Sequence, residues 1–419
     1  MFITKTIKQL NSCLFEIKKN VNITLIANIV FVIPILYNFD RYLFIMAGIY
    51  IHIPFCRQKC HYCNFYSLAS MKYFDEVVDA IGKELVLAKH FLPQNTVDTI
   101  YFGGGSPSLL SEKHLNYLFD ILKKNYSINN NAEITLEANP DDLTEEKVMV
   151  LAKTPVNRLS IGIQSFNDDD LKYLNRSHDS QTAINAIGNA RLAGIENLTI
   201  DLIYGIPVST NDTWESNLQK CFELKIPHIS CYALTLEPNT ALDVLIKKKK
   251  LKPISDEQII EQFNILTKQV KKHSYEQYEI SNFCREQRYA KHNTGYWFGE
   301  PYVGVGPSAH SYNGISRRWN VANIKEYLAS IDSNTIPFSS EKLTVEQRYD
   351  EYVMTRLRTQ WGINIKDLQK LFGKERRNFF VKTISKFIST NHIEQNGDVF
   401  IFTDKGKLIS DHVISELFF

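Results

Sequence analysis

From residue 48 onward the chain repeats one rhythm, a short run of β-branched and aromatic residues followed by a longer stretch with helical spacing. The strand-like runs are GIYIHIPF (48–55), TVDTIYF (96–102), AEITLEA (132–138), RLSIGIQS (158–165), NLTIDLIYG (197–205) and HISCYALTL (228–236). Helical patterns over 71–92, 112–124, 180–193 and 212–224 lie between them. Six strands separated by helices predict an α/β fold of parallel βα units. Closed wholly or in part, such units make a (β/α)6 TIM-type barrel with its chemistry at the carboxyl ends of the strands. A doubly wound open sheet is the alternative.

The rhythm stops near residue 335, which predicts a barrel domain over 47–335 and a separate domain over 336–419. In the latter, helical patterns over 343–358, 365–372 and 376–390 precede HIEQNGDVFIFTDKG, where Asn396-Gly397 between apolar residues signals a hairpin. Helices followed by a hairpin predict a winged-helix-like α+β domain. Winged helices often bind DNA, but here Lys374, Arg376 and Arg377 surround Glu375, and the net charge is only +2. No nucleic-acid partner is expected. The lysine run 247–250 reads as a solvated loop.

Residues 1–46 form an N-terminal extension. Its stretch 21–39 carries no charge and follows Lys5, Lys8, Lys18 and Lys19, which makes it a membrane-span candidate. Three Asn and one Pro within it weaken that reading. The alternative is translation from Met46, with the extension a start-site artefact. A cleavable signal peptide fits poorly.

Seven cysteines in so large a chain, an odd and scattered set, point to a reducing compartment rather than a disulfide framework. Three of them, Cys56, Cys60 and Cys63, sit on the loop after the first strand. Thiolates on a tight loop suit an iron–sulfur cluster or another soft metal. A four-iron cube normally has four ligands, so three cysteines leave one iron open to a further ligand. A zinc site completed by His52 or His61 is the competing reading.

The loop Cys-x3-Cys-x-aromatic-Cys, with Tyr62 in the aromatic place, resembles the signature of the radical SAM superfamily. The resemblance implies a [4Fe-4S] cluster whose open iron binds S-adenosylmethionine, and electron transfer that yields a 5′-deoxyadenosyl radical. YFGGGSPS (101–108) is similar to the family's methionine-binding glycine motif, carried by Gly103, Gly104, Gly105 and Ser106. Glycines there let backbone approach a ligand, and free N–H groups suit a carboxylate. Glu137, Gln164 and Asp201 fall at or near strand ends, and Arg176 follows in LNRSH. A carboxylate suits ribose hydroxyls and an arginine suits the methionine carboxylate.

In chain order these residues resemble the porphyrin-related branch, the oxygen-independent coproporphyrinogen III oxidases and the heme chaperones called HemW. Tyr50, six residues before Cys56, is similar to that branch's cluster-proximal tyrosine. The resemblance covers the chain from about residue 47 to its end. The oxidases usually read Cys-x3-Cys-x2-Cys-x-Cys and carry an N-terminal segment that helps close the substrate site. Here the last position is Phe65, and residues 1–46 do not resemble that segment. HNTGYW (292–297) and YVGVGPSAHS (302–311) instead resemble the chaperone pattern.

The resemblance therefore implies haem as cargo and apo-haemoproteins, often membrane-bound, as recipients. His292 is the candidate axial ligand, with Tyr296 and Trp297 stacking on the macrocycle. His310 and Cys284 are weaker ligand candidates. Residue types alone leave open that His292 is a hydrogen-bonded structural residue and the aromatics are core. The alternative function is coproporphyrinogen III oxidation, and a remote one is a DNA-binding regulator with a structural metal. Coproporphyrinogen dehydrogenase activity is not expected, and the expected location is the cytoplasm or its membrane face.

Overall fold

The computed structural model describes residues 47–93 and 96–419. The membrane-span candidate 21–39 lies outside them. Among the described residues no helix is long and apolar enough to cross a membrane.

The six expected strands are all present: β1 (Gly48–Ile53), β2 (Thr96–Gly104), β3 (Ser127–Ala138), β4 (Arg158–Gln164), β5 (Leu198–Tyr204) and β6 (His228–Ala233). They lie side by side in chain order, each parallel to the next. A doubly wound sheet would reverse direction across its first strand, so that alternative falls. The free side of β1 pairs with a later strand rather than with β6, so the barrel is partial.

Local chemistry explains the repeat. In β1, Ile49, Ile51 and Ile53 are fully buried, while Tyr50 and His52 alternate onto the opposite face. The helices after the strands start where a polar side chain can cap free amides. Ser111, Thr144, Asn167, Asp179 and Thr210 each accept from backbone N–H groups of the first turn.

The sheet extends on both flanks. Beyond β6 lie β8 (Asn282–Cys284) and β7 (Glu276–Glu279), both antiparallel. Beyond β1 lie β9 (Tyr302–Val305), parallel to β1, then β10 (His310–Tyr312), β11 (Ser316–Asn320) and β12 (Phe338–Lys342), antiparallel in turn. The change expected near residue 335 comes later, because β12 still belongs to this sheet.

A second core gathers Tyr349, Val353, Leu357, Phe380, Ile384 and Phe400, with others, beneath a three-stranded sheet. That sheet runs β13 (Ile363–Asn364), β15 (Val399–Phe402), β14 (Ile393–Asn396), the helices-plus-hairpin arrangement of a winged-helix-like unit. The two helices expected over 365–372 and 376–390 run as one element, Ile365–Ser389, broken at Gly373 by a φ of 87°. The hairpin loop is Gly397-Asp398, one residue later than the Asn396-Gly397 signal, with Gly397 at φ 62°. Arg376 is spent on an ion pair with Glu346 and packs over Phe419.

Candidate cofactor site

The cysteine loop is pinned at its ends and along its length. The Cys56 N–H donates to Leu68 O at 3.0 Å, and the Leu68 N–H donates to Pro54 O at 2.9 Å. In the middle, the His61 N–H donates to Leu174 O, and His61 O accepts from the Leu242 N–H. Asn175, in the left-handed region at φ 58°, donates from Nδ2 to Lys59 O, while Gln58 donates to Asn175 O. A loop without regular structure is thereby held by residues more than 100 positions away.

Cys56, Cys60 and Cys63 are free and half-buried on this loop. Burial pushes the Cys56 and Cys63 thiols up, partly offset at Cys56 by the Ser106 and Ser67 hydroxyls. Arg176 Nη1 lies 3.2 Å from Cys60 Sγ. Its Nη2 donates to Asn139 Oδ1 at 2.8 Å and to Gly162 O at 2.6 Å, and its buried Nε has no partner. Asn139 in turn donates to Ser106 Oγ at 2.7 Å. One polar chain thus joins the cysteine loop, the β3 end and the glycine motif. Asn139 escaped the sequence reading, although it stands two residues after Glu137 at a strand end, where the fold puts chemistry.

The glycines are needed for close approach. A Cβ on Gly105 would meet Phe55 O at 2.4 Å, and one on Gly104, at φ 110°, would meet the His52 ring at 2.7 Å. The expectation of free amides there is corrected by the geometry. The Gly105 N–H donates to Ile53 O and the Ser106 N–H to Phe55 O. The Gly104 N–H donates to the protein's own Glu137 carboxylate at 3.1 Å. Gly103 packs against the rings of Tyr50 and Tyr101.

Glu137 also accepts from Tyr101 Oη at 2.7 Å. Burial pushes its carboxyl up to about 7, and the nearby Asp201 charge adds to the effect. Asp201 is itself pushed up to about 6 by burial, against hydrogen bonds from Ser230 and Ser160. Two buried carboxyls, on β3 and β5, therefore have raised proton affinity. Gln164 closes β4 at φ 69°, after an irregularity in the β4–β5 register. Tyr62 packs against Tyr173, Leu174, Ile203, Ile206 and Leu242 behind the loop.

The zinc alternative loses His52, whereas His61 keeps one ring nitrogen. Both His52 ring nitrogens are held, Nδ1 by Tyr50 Oη at 3.1 Å and Nε2 by Tyr66 O at 3.0 Å. His61 commits Nδ1 to Tyr173 O. Four ligands of one zinc ion would stand about 4 Å apart. Among the described residues no three His, Cys, Asp or Glu side chains are grouped to share one ion. A cube spreads its cysteines wider, because each takes a different iron. The donor set, with a buried orphan nitrogen of Arg176 beside Cys60, fits a three-cysteine cluster with a carboxylate-bearing ligand.

His292 lies elsewhere. It begins the helix Lys291–Phe298 near the amino ends of β1 and β2, away from the cysteine loop. The ring is buried, with Nδ1 2.8 Å from Thr99 Oγ1 and Nε2 2.7 Å from Tyr296 Oη. Burial and Arg158 lower it to about 3. Both nitrogens are therefore occupied, which favours the structural reading of this residue. Tyr296 stands edge-on to His292 and Tyr302, and Arg358 lies over Trp297. Cys284 is buried in β8, its thiol pushed up to about 12 by burial. His310 is exposed on β10.

Comparison with known proteins shows what the chain is similar to. Residues 50–221 match the radical SAM superfamily model, and residues 343–409 match the HemN C-terminal domain. The chain is 34% identical to the heme chaperone HemW of Bacillus subtilis, over 88% of this chain and 98% of that protein. It is 30% identical to the heme chaperone HemW of Lactococcus lactis, over 88% and 96%. Its backbone matches the coproporphyrinogen III oxidase HemN of Escherichia coli with a TM-score of 0.77 at 21% identity, over 89% and 90% of the two chains. That last likeness shows the fold.

Proposed function

From a chain that belongs to the heme chaperone HemW family of the radical SAM superfamily, we propose a protein that binds haem and delivers it to apo-haemoproteins. The observation that carries the reading is similarity along 98% of the Bacillus subtilis chaperone, barrel and tail domain together. Phe65 agrees with it. This side chain, 66% exposed, stands where the oxidases usually carry a fourth cysteine.

Superfamily membership implies a [4Fe-4S] cluster and S-adenosylmethionine. We assign the cluster to Cys56, Cys60 and Cys63. Bound together, cluster and S-adenosylmethionine supply one-electron cleavage of a C–S bond. The chain's own contributions are positional. Arg176 sets a positive charge beside Cys60 and offers its free Nε to a carboxylate. Glu137 and Asp201 offer acceptors for ribose hydroxyls, Tyr50 and Gln164 stand at or near the same strand ends, and Tyr62 anchors the cysteine loop from behind. Free thiols committed to a cluster suit the reducing cytoplasm.

The test is one preparation with two assays. Cluster-loaded protein is titrated with haem, then mixed with an apo-cytochrome, and haem transfer is followed optically. The same protein receives reductant, S-adenosylmethionine and coproporphyrinogen III. Haem binding and transfer without porphyrin product supports the chaperone. Steady formation of protoporphyrinogen over many turnovers would replace it with the oxidase.

A further inference from the structure

Beside β1 the flanking strands present an open cleft of about 410 Å³ lined by Tyr302, His310, Arg317, Trp319 and Glu341. That volume lies within the range of small-molecule sites. His310 and Trp319 are directly opposite on β10 and β11, with rings 6.3 Å apart and 26° from parallel. The imidazole of His310 makes no hydrogen bond to the described residues, unlike those of His52 and His292. Arg317 lies opposite Glu341 in the β11–β12 register, and its guanidinium pairs with Glu351 through Nη2 at 2.7 Å.

The backbone that presents His310 is costly. A Cβ on Gly304 would meet His310 O at 2.0 Å, so only glycine allows this strand-to-strand approach. Gly306 sits at φ 103° with Ser308 at φ 66°, a left-handed conformation that serine seldom adopts. Strain of this kind persists where the surrounding structure holds it, often at ligand sites. Although the residue is exposed at the surface, partial burial of its ring and then the Arg317 charge lower the His310 pKa, so the imidazole is neutral with a lone pair at neutral pH.

We propose that this cleft holds the haem cargo, with His310 as the axial ligand to iron, Trp319 against the macrocycle and Arg317 toward a propionate. An imidazole suits the iron, an indole running alongside that imidazole can set its edge on the porphyrin, and a guanidinium suits a carboxylate. His292 becomes a positioning residue. Its Nε2 is bonded to Tyr296 Oη, and the Tyr296 ring lies edge-on, 4.6 Å from Tyr302 in the cleft wall. The HNTGYW segment thereby backs the site without supplying the ligand. This inference rests on the chaperone reading above.

The test uses cluster-loaded full-length protein titrated with ferric haem, read by tryptophan quenching and by the electron paramagnetic resonance of the haem. His310→Gly is expected to weaken haem binding at least tenfold and to abolish the imidazole-ligated signal. Free imidazole is expected to restore that signal. Trp319→Leu is expected to weaken binding with the signal intact. If His310→Gly binds haem like the parent with the same signal, the cleft assignment is overturned while the chaperone reading stands. If the parent protein binds no haem, the chaperone reading itself fails.

Discussion

Replacing Glu84 by Gln should cost the fold about 3 kcal/mol and loosen the segment that carries His310. Glu84 lies in the helix Phe74–Leu87 and is fully buried. Its carboxylate accepts three hydrogen bonds: from the Gly306 N–H at 2.7 Å, Asn320 Nδ2 at 2.6 Å and Tyr327 Oη at 2.6 Å. The donors come from the β9–β10 connection, β11 and the helix Ile324–Asp332, so one side chain ties the flank to the barrel. A glutamine has one acceptor oxygen, and its NH2 must then face a donor. Each hydrogen bond to a charged group contributes about 1.5–3 kcal/mol, and a buried donor left unpaired costs about 1–3 kcal/mol. Arg318, buried nearby, also loses its counter-charge. Relief of carboxylate burial offsets part of this sum, which leaves about 3 kcal/mol. Urea denaturation followed by tryptophan fluorescence reads the loss, and haem titration reads the loosened loop. A variant within about 1 kcal/mol of the parent, with unchanged haem affinity, would refute the role of Glu84 as the joint.

Cys60→Ala should abolish the brown cluster absorbance, because a three-cysteine site has no spare ligand; full iron content in the purified variant would refute the ligand assignment. His292→Ala should destabilise the fold by about 2–4 kcal/mol, through a cavity and two orphaned hydroxyls, while the imidazole-ligated haem signal persists. Loss of that signal at unchanged stability would return the ligand role to His292. Glu137 and Asp201 give opposite pH trends for folding and binding. Their folded pKa values, about 7 and about 6, exceed ordinary carboxyl values, so the stability they confer is full below about pH 4 and lost as pH rises toward 7. Ionised carboxylates serve ribose hydroxyls better, so S-adenosylmethionine affinity should rise across pH 6–7. Glu137→Gln should flatten both trends, and a calorimetric titration across that range showing the parent already flat would remove Glu137 from the site.

The six barrel strands were legible because each separates two unlike environments. Helices cover one face and the barrel interior lies on the other, so Ile49, Ile51 and Ile53 alternate with Tyr50 and His52 in plain view. The flanking strands were not legible. At three to five residues, β8 to β12 are too short to establish a period, and each exists through its pairing with a neighbour. That is why the end of the main sheet was placed too early.

The site divides in the same way. Spacing within a single loop exposes Cys56, Cys60 and Cys63, and the glycine run exposes a close backbone approach. These are local facts, fixed by chain connectivity. Residue order could not say which partner each polar group takes. Arg176 reaches Cys60 across 116 positions, Glu137 occupies the Gly104 amide, and Tyr296 with Thr99 consumes both nitrogens of His292. His310 keeps its nitrogens free in a cleft built by four strands of the flank. The sequence by itself determined the repeating strands and helices, the cluster loop and the family. Tertiary structure alone decided which histidine stays available, because availability depends on groups brought together by folding.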